Sequence, residues 1–201
     1  VSDGYLTDTA SVSVTILPVN DAPILSTISD VSFDEDTLGN LLVEASDVDG
    51  DVLTFNITDG DNISSIIDVD DISFSTPLNY NGNESFTVTV SDGELLDLQS
   101  FNVIVIPVND PPVADSIDDS TLEDKNLIVE LVASDVDGDA LEYTLDTNAN
   151  NGSIIIDGTI ATYIPNTNFN GTDSFVYMAS DGELSDTAEV TLAIEAVNDA
   201  P

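Results

Sequence analysis

The sequence contains no cysteine and no histidine, and only one of its 201 residues, Lys125, is a cation. Without cysteine the chain can form neither a disulfide nor a thiolate metal site. Without histidine it lacks the usual proton relay, the usual activator of a serine or cysteine nucleophile, and the commonest transition-metal ligand. These absences argue against an enzyme.

Positive charge is almost absent, whereas 40 residues are acidic and the formal net charge is −39. Because nothing in the chain can neutralise phosphates, nucleic-acid binding is excluded and an anionic membrane surface is disfavoured. No apolar run approaches membrane-spanning length, which predicts no direct membrane insertion. Repulsion between like charges predicts a monomer in low salt. The acids are either a solubility adaptation or carboxylate clusters that divalent cations neutralise.

Many of these acids lie in motifs that recur at a fixed period. Val-Asn-Asp-Ala-Pro starts at residues 19 and 197, and its variant Val-Asn-Asp-Pro-Pro starts at 108, so the period is 89 residues. Such a period marks small modules in series. It predicts one repeat over 20–108, a second over 109–201, and a leading segment, 1–19, that corresponds to the last strand of a preceding repeat and lacks its sheet. Clustering of the acids in repeated motifs favours divalent cations over solubility.

Short segments of alternating polarity, separated by Gly, Asn and Asp, dominate the secondary-structure pattern, and no stretch shows a helical period. The first repeat has predicted strands near 24–28, 40–45, 52–58, 63–67, 71–75, 85–90 and 99–106. The second has them near 113–117, 127–133, 141–146, 153–157, 159–164, 174–179 and 187–196. About seven short strands per repeat predict an all-β fold of tandem immunoglobulin-like Greek-key sandwiches.

Two acidic loops carry the clearest chemical signal. Asp47-x-Asp49 and Asp135-x-Asp137 each place two carboxylates two residues apart, just before a strand. Such a pair can face one cation, and Ca²⁺ takes about six to eight oxygen ligands. The loops are not EF-hands, because loop position six is Val52 or Ala140 instead of glycine. An Asp-rich turn capped by its own side chains is the other explanation of the motif.

These motifs resemble those of cadherins. Ala-Ser-Asp-Val-Asp-Gly at 45–50 and 133–138, followed by Phe55 or Tyr143, is similar to the cadherin Ala-x-Asp-x-Asp-x-Gly…Tyr motif. Ala-Ser-Asp-Gly at 179–182 is similar to the late Ala-x-Asp-x-Gly motif, and Val-Asn-Asp-Ala-Pro to the Asp-x-Asn-Asp-Asn-x-Pro linker. The resemblance covers essentially the whole chain. Within it, the chain most resembles the bacterial cadherin-like tandem repeats of large secreted surface proteins and RTX-type adhesins.

The resemblance implies Ca²⁺ as the cofactor, bound at each junction by ligands from the preceding repeat, the linker and the following repeat. For the junction between the two repeats it implies the ligands Glu35, Asn109, Asp110, Asp135, Asp137 and Asp181. For the first junction it implies Asn20, Asp21, Asp47, Asp49 and Asp92, and Glu123 repeats the position of Glu35. The implied cadherin-like sandwiches agree with the strand pattern.

The chain departs from the cadherin pattern at two places. The family's Asp-Arg-Glu motif falls at Asn79-Tyr80-Asn81 and Asn168-Phe169-Asn170, and the linker carries fewer acids. Both departures predict fewer ions per junction than in cadherins. Glu84 and Asp173 lie nearby in the sequence, and either compensate for the lost ligands or lie in a solvated loop.

The resemblance predicts a calcium-binding extracellular module at the cell surface. Its expected role is to stiffen and extend an adhesin and so to serve cell adhesion. Its expected partners are calcium ions and the neighbouring repeats of the same chain, with a cell-surface protein or a polysaccharide as the candidate external partner. The alternative is a Ca²⁺-dependent carbohydrate-binding module, which an exposed cluster of aromatic side chains would favour.

Overall fold

The computed structural model describes residues 1–2 and 4–198, which include no helix and therefore no helical segment able to cross a membrane. The chain divides into two compact units, Val1–Pro107 (unit 1) and Val108–Pro201 (unit 2). Each unit is built only from strands and turns, so the predicted all-β class is confirmed. The last copy of the linker motif, at 197–201, extends from residue 199 onward outside the described residues.

Among its described residues, unit 1 contains nine strands in three sheets. The strands are β1 (Ile24–Leu25), β2 (Val31–Asp34), β3 (Gly39–Leu42), β4 (Ala45–Ser46), β5 (Thr54–Ile57), β6 (Ser64–Asp68), β7 (Asp71–Ser75), β8 (Gly82–Ser91) and β9 (Leu96–Ile106). A four-stranded sheet has the order β2-β9-β8-β5, a three-stranded sheet has the order β3-β7-β6, and β1 pairs with β4. All pairs are antiparallel except β2 with β9, which is parallel.

Unit 2 repeats this arrangement strand for strand. Its strands are β10 (Val113–Ala114), β11 (Ile117–Leu122), β12 (Leu127–Glu130), β13 (Ala133–Ser134), β14 (Glu142–Thr147), β15 (Gly152–Asp157), β16 (Ile160–Pro165), β17 (Gly171–Ser180) and β18 (Ser185–Glu195). The sheets have the orders β11-β18-β17-β14 and β12-β16-β15, with β10 paired to β13. The 89-residue period of the sequence is therefore a period of structure.

Each unit has its own core between its two larger sheets. In unit 1, Phe74 on β7 packs against Phe86 on β8 with ring centroids 5.3 Å apart in an edge-to-face arrangement. In unit 2, Tyr163 and Phe175 take the corresponding places, and Tyr177 is also buried in the core. The alternation read from the sequence is the alternation of buried and exposed residues along β8, β9, β17 and β18. Aromatic side chains therefore lie at the centre of both cores.

The seven strands expected per repeat become nine because the first two are each interrupted. In unit 1 the first strand is divided into β1, which pairs with β4, and β2, which joins the four-stranded sheet. The second strand is divided into β3 and β4. The sequence prediction missed β2 and most of β11. Both are acidic edge strands, and what makes them strands is parallel pairing with β9 or β18, which lie about 70 residues later in the chain.

Residues 8–23 form no strand, and the leading segment has one isolated bridge, Ser2 to Thr7. Val12, Val14 and Ile16 correspond by the 89-residue period to Phe101, Val103 and Val105 of β9. The three residues of β9 are buried, whereas Val12, Val14 and Ile16 are at least 80% exposed. The segment thus has the sequence of a last strand but does not pair with either larger sheet of unit 1.

The turn between β6 and β7 contains a valine in a backbone conformation that normally requires glycine. Val69 has φ = 62° and a side chain that is 78% exposed, whereas Gly158 holds the corresponding position of unit 2 with φ = 57°. Left-handed backbone costs a residue with a Cβ about 1–2 kcal/mol, and more when it is β-branched. Because the Val69 side chain packs against little, nothing offsets this cost.

Val69→Gly is therefore expected to raise the free energy of unfolding of unit 1 by about 1 kcal/mol, after allowing for the greater freedom of glycine in the unfolded chain. Gly158→Val should lower that of unit 2 by a similar amount, although a Cβ at Gly158 meets no atom within 4 Å. Urea unfolding of both variants measures the effects. Equal stability of Val69→Gly and the parent chain would show that the turn is not strained.

Candidate metal centre

The acidic loops begin as self-capped turns. After β4, one carboxylate oxygen of Asp47, Oδ1, accepts hydrogen bonds from the backbone amides of Asp49, Gly50 and Asp51 at 2.8, 3.0 and 3.4 Å. In unit 2, Oδ1 of Asp135 accepts from the amides of Asp137 and Asp139 at 2.9 and 3.2 Å. Gly50 and Gly138 supply the left-handed residue of each turn, with φ = 79° and 81°.

The second oxygen of the same carboxylate is not used by the turn. Oδ2 of Asp47 and Oδ2 of Asp135 are buried and accept no hydrogen bond. A buried carboxylate oxygen without a donor is costly unless a proton or a cation compensates it. The turn and the cation explanations of the motif therefore use different oxygens of one side chain, and they do not exclude each other.

Each turn gathers three carboxylates. One oxygen from each of Asp47, Asp49 and Asp51 lies within 4.8 Å of the others, and so does one from each of Asp135, Asp137 and Asp139. Ca²⁺ binds oxygens at about 2.3–2.6 Å, so two ligands of one ion lie at most about 5.2 Å apart. The spacing suits one such ion. The third carboxylate of each cluster, Asp51 or Asp139, stands inside the Asp-x-Asp-Gly-Asp motif but lies outside the ligand set that the cadherin resemblance implies.

The linker at the start of each unit is attached to these loops. In unit 1 the amide of Asp21 donates to Oδ2 of Asp49 at 2.8 Å, and the Asn20 side chain donates to Oδ2 of Asp92 at 2.9 Å. Unit 2 repeats both bonds, from the amide of Asp110 to Asp137 at 2.8 Å and from the Asn109 side chain to Asp181 at 2.9 Å. In unit 1 a cleft of about 340 Å³ lies between the linker residues 18–20 and the side chains of Asp49 and Asp51.

Asp92 and Asp181 lie in Ser-Asp-Gly turns and belong to neither carboxylate cluster. The amides of Leu95 and Glu94, and then the Asn20 side chain, hold the pKa of Asp92 below its usual value. For Asp181 the Asn109 side chain has the largest effect, followed by the amides of Leu184 and Glu183, and the pKa is again lowered. Both groups are therefore anionic at neutral pH, and the bonds shown in this structure serve to position the linker.

The glutamates at the end of β2 and β11 are among the most buried charged residues. Glu35 is 4% and Glu123 5% exposed. In unit 2 the carboxylate of Glu123 accepts hydrogen bonds from the amide of Val197, just after β18, and from the Asn170 side chain. Its own backbone amide bonds to Glu195, which extends the parallel pairing of β11 with β18. Glu123 thus fixes the backbone just after β18.

Glu84 lies on β8 and Asp173 on β17, so the explanation as solvated loop residues was wrong, whereas a compensating ligand role stays a prediction. Glu84 accepts hydrogen bonds from the backbone amides of Asp61, Asn62 and Ile63 at 2.9, 2.9 and 3.3 Å. Asp173, which is 6% exposed, accepts from the amides of Asn150 and Asn151 at 3.0 and 2.8 Å. Each carboxylate fixes the loop between the fifth and sixth strands of its unit, and we call it the loop clamp.

The side chains of the two loop clamps differ in length, and the residues that contact them differ as well. The shorter Asp173 leaves room for Ala149, whereas a Cβ on the corresponding Gly60 would lie 2.0 Å from Oε2 of Glu84. The tyrosine donor also changes place, from Tyr80 in the loop before β8 to Tyr163 on β16. Burial raises the pKa of Glu84, but hydrogen bonds led by those of Asn62 outweigh it, and the pKa lies below its usual value.

A family model described as the bacterial Ig domain matches residues 20–103 and again residues 109–193. The chain belongs to the bacterial Ig domain family. The two matches coincide with the two copies of the nine-stranded arrangement. The predicted resemblance to bacterial cadherin-like repeats is confirmed at the level of fold, since cadherin repeats are among the structures similar to this tandem of bacterial Ig domains.

Two solved structures and one curated protein illustrate these similarities. Human protocadherin-24 EC1-2 is 18% identical, with 89% of this chain and 100% of that chain covered and a TM-score of 0.56. Mouse cadherin-23 EC22-24 is 18% identical, with 87% and 65% covered and a TM-score of 0.52. Integrin beta-like protein A of Dictyostelium discoideum is 25% identical over an alignment 256 residues long, which covers 100% of this chain but 13% of that protein.

Proposed function

We propose that this chain is a calcium-binding part of an extracellular array of bacterial Ig domains, in which the cation fixes each linker to the unit that follows it. The observation that carries the proposal is the geometry repeated at the acidic loop of each unit. There, three clustered carboxylates include a buried oxygen with no hydrogen-bond donor, on Asp47 or Asp135. The linker is bonded to the same loop in both units. The same geometry therefore occurs in both repeats.

The residues present suit a hard divalent cation. In unit 1 Asp47, Asp49 and Asp51 would supply carboxylate oxygens, and in unit 2 Asp135, Asp137 and Asp139 would do so. Bound Ca²⁺ supplies positive charge to a loop that has none, since the single cation of the sequence, Lys125, lies in the turn between β11 and β12. Without it, the three carboxylates repel each other and favour a looser loop.

Fixing the linker is the mechanical consequence. Asn20 and Asp21 are bonded to Asp92 and Asp49, so a cation that orders the Asp47–Asp51 loop also orders the linker. Pro23 and Pro112 are buried and restrict the adjoining backbone further. A flexible connection thereby becomes a stiff one, as an array that extends away from a surface requires. Asn20, Asp21, Asn109, Asp110 and Glu123 act here as positioning residues, and the direct ligand role implied for them and for Glu35, Asp92 and Asp181 stays a prediction.

The proposed setting is the cell surface, with a structural role in adhesion and no catalytic activity. Cadherin-like and bacterial Ig domains of this kind are typical of surface proteins. Of the 12 aromatic residues only Tyr5 is fully exposed, so the exposed aromatic cluster that would favour a carbohydrate-binding module does not occur. The acidic surface also favours a monomer at low salt.

Calorimetric titration of the intact chain with CaCl₂ tests the proposal. We expect saturable binding with about two sites per chain and dissociation constants near the roughly 10⁻⁴–10⁻³ M of extracellular calcium modules. Asp135→Asn should remove about half of the sites, whereas Asp118→Asn, which removes the same charge from an exposed position on β11, should remove none. Equal losses in both variants, or no saturable binding, would contradict the proposal.

A further inference from the structure

The buried phenol of Tyr177 in unit 2 makes a hydrogen-bond contact that unit 1 does not reproduce. Tyr177 lies on β17, and its single hydroxyl proton is shared between the carbonyl oxygens of Asp115 and Val132, which lie 2.7 and 2.6 Å from the phenol oxygen. These two residues are themselves joined, because the amide of Asp115 donates to the carbonyl of Val132 at 3.0 Å. The phenol of Tyr177 thus connects the β10–β13 pair to the four-stranded sheet of unit 2.

Unit 1 keeps the two carbonyl positions but not the phenol. The amide of Ser26 donates to the carbonyl of Glu44 at 2.8 Å, which is the counterpart of the bond from Asp115 to Val132. The 89-residue period places Val88 where Tyr177 stands in unit 2. Valine has no hydroxyl to donate. Its cross-strand neighbour also changes, from Ala188 beside Tyr177 to Gln99 beside Val88, and Gln99 accepts a bond from the amide of Ile28 at 2.6 Å.

An open cleft in unit 1 borders the Ser26–Glu44 pair. Its volume is about 470 Å³, and its lining includes Ser26, Val43, Glu44, Leu53, Phe55 and Asp70. Small-molecule sites measure roughly 300–1,000 Å³ and combine apolar walls with a few polar groups. Val43, Leu53 and Phe55 provide the apolar wall, and Ser26 and Glu44 are the residues whose counterparts receive the phenol of Tyr177 in unit 2.

We propose that this cleft binds a phenol supplied from outside, namely a tyrosine side chain of a partner polypeptide. The hydroxyl would donate to the carbonyls of Ser26 and Glu44, as Tyr177 does to their counterparts, and the ring would pack against Leu53 and Phe55. The acidic residues Glu44 and Asp70 at the cleft and the net charge of −39 select a tyrosine in a neutral or basic segment. This inference does not depend on calcium binding.

The test uses two neutral probes that differ by one hydroxyl, N-acetyl-tyrosinamide and N-acetyl-phenylalaninamide, titrated into the ¹⁵N-labelled chain. We expect saturable shifts of the amides of Ser26, Glu44 and Phe55. The tyrosine probe should bind about fivefold more tightly than the phenylalanine probe, the factor that one net hydrogen bond supplies. The amides of Asp115 and Val132 should not shift. A Tyr5→Phe background removes the exposed phenol of the chain itself as a competitor.

Exchange of the central residue pairs between the units provides the matched variants. Val88→Tyr with Gln99→Ala gives unit 1 the pair found in unit 2 and should abolish binding of the tyrosine probe. Tyr177→Val with Ala188→Gln should create a second site in unit 2, and if that variant fails to fold, the first still decides. Equal affinity for the two probes, shifts spread over both units, or binding that survives Val88→Tyr with Gln99→Ala would overturn the inference.

Discussion

Calcium at about 10 mM is expected to raise the free energy of unfolding of each unit by about 1.4–2.7 kcal/mol, the linkage effect of one site with a dissociation constant between about 10⁻³ and 10⁻⁴ M. The physical reason is the acidic loop that follows the fourth strand of each unit. There, Asp47 or Asp135 holds a buried oxygen without a hydrogen bond beside two further carboxylates. A bound cation removes both the repulsion and the unsatisfied oxygen. Urea unfolding with Ca²⁺ and with EDTA measures the difference.

Magnesium and sodium at matched ionic strength separate this site from general screening. Screening should stabilise a chain of net charge −39 with any salt. Mg²⁺ keeps several waters and demands near-octahedral geometry, so it should add little beyond screening. Asp47→Asn should remove the calcium response of unit 1 alone, and Asp135→Asn that of unit 2 alone. Stabilisation of equal size by all three cations would assign the acids to surface solvation.

Hydrogen exchange distinguishes a fixed linker from a merely stabilised unit. The amides of Asp21 and Asp110 donate to Asp49 and Asp137 in the acidic loops. If the cation orders the linker, calcium should slow exchange at these two amides more than at exposed amides of the β6–β7 turn. Slowing only of the core strands would show that calcium stabilises the units without stiffening their connections.

The long central strands could be predicted from the sequence because their alternation is local. Along β8 and β9 every second residue enters the core, and the same rule holds for β17 and β18. The edge strands β2 and β11 could not be predicted. Asp34 and Glu35, or the acids between 118 and 124, indicate a loop when only the local sequence is considered. Their pairing partners are distant in the chain, so only the folded sheet shows that they are strands.

The acidic loops were also visible in the sequence, because their acids are adjacent. The period and the motif pointed to Asp47, Asp49, Asp135 and Asp137, and the geometry adds Asp51 and Asp139. The loop clamps were not visible, because their partners lie elsewhere in the chain. In unit 1 the clamp Glu84 lies beside Gly60 and Tyr80, whereas in unit 2 the clamp Asp173 lies beside Ala149 and Tyr163. The tyrosine is in a loop in unit 1 and on a strand in unit 2. Only contacts across the core link these substitutions.

Asp173→Asn is expected to lower the free energy of unfolding of unit 2 by about 3 kcal/mol, which would be the largest single effect in this chain outside a core deletion. The carboxylate of Asp173 accepts from the amides of Asn150 and Asn151 and from the hydroxyl of Tyr163. An asparagine side chain turns an NH₂ group toward at least one of these donors and leaves it unsatisfied in a buried site. Asp118→Asn removes an exposed charge and serves as the control, and urea unfolding measures both.

The difference between the two loop clamps allows a stricter test than removal of the charge. Asp173→Glu keeps the charge but introduces the longer side chain of unit 1 beside Ala149, whose methyl group occupies the space that Gly60 leaves open for Glu84. We expect this variant to lose about 1–3 kcal/mol through overpacking. Adding Ala149→Gly should restore much of the loss, because the pair then matches that of unit 1. If Ala149→Gly destabilises the Asp173→Glu variant and the parent chain equally, the two positions are not coupled and the clamp is set by charge alone.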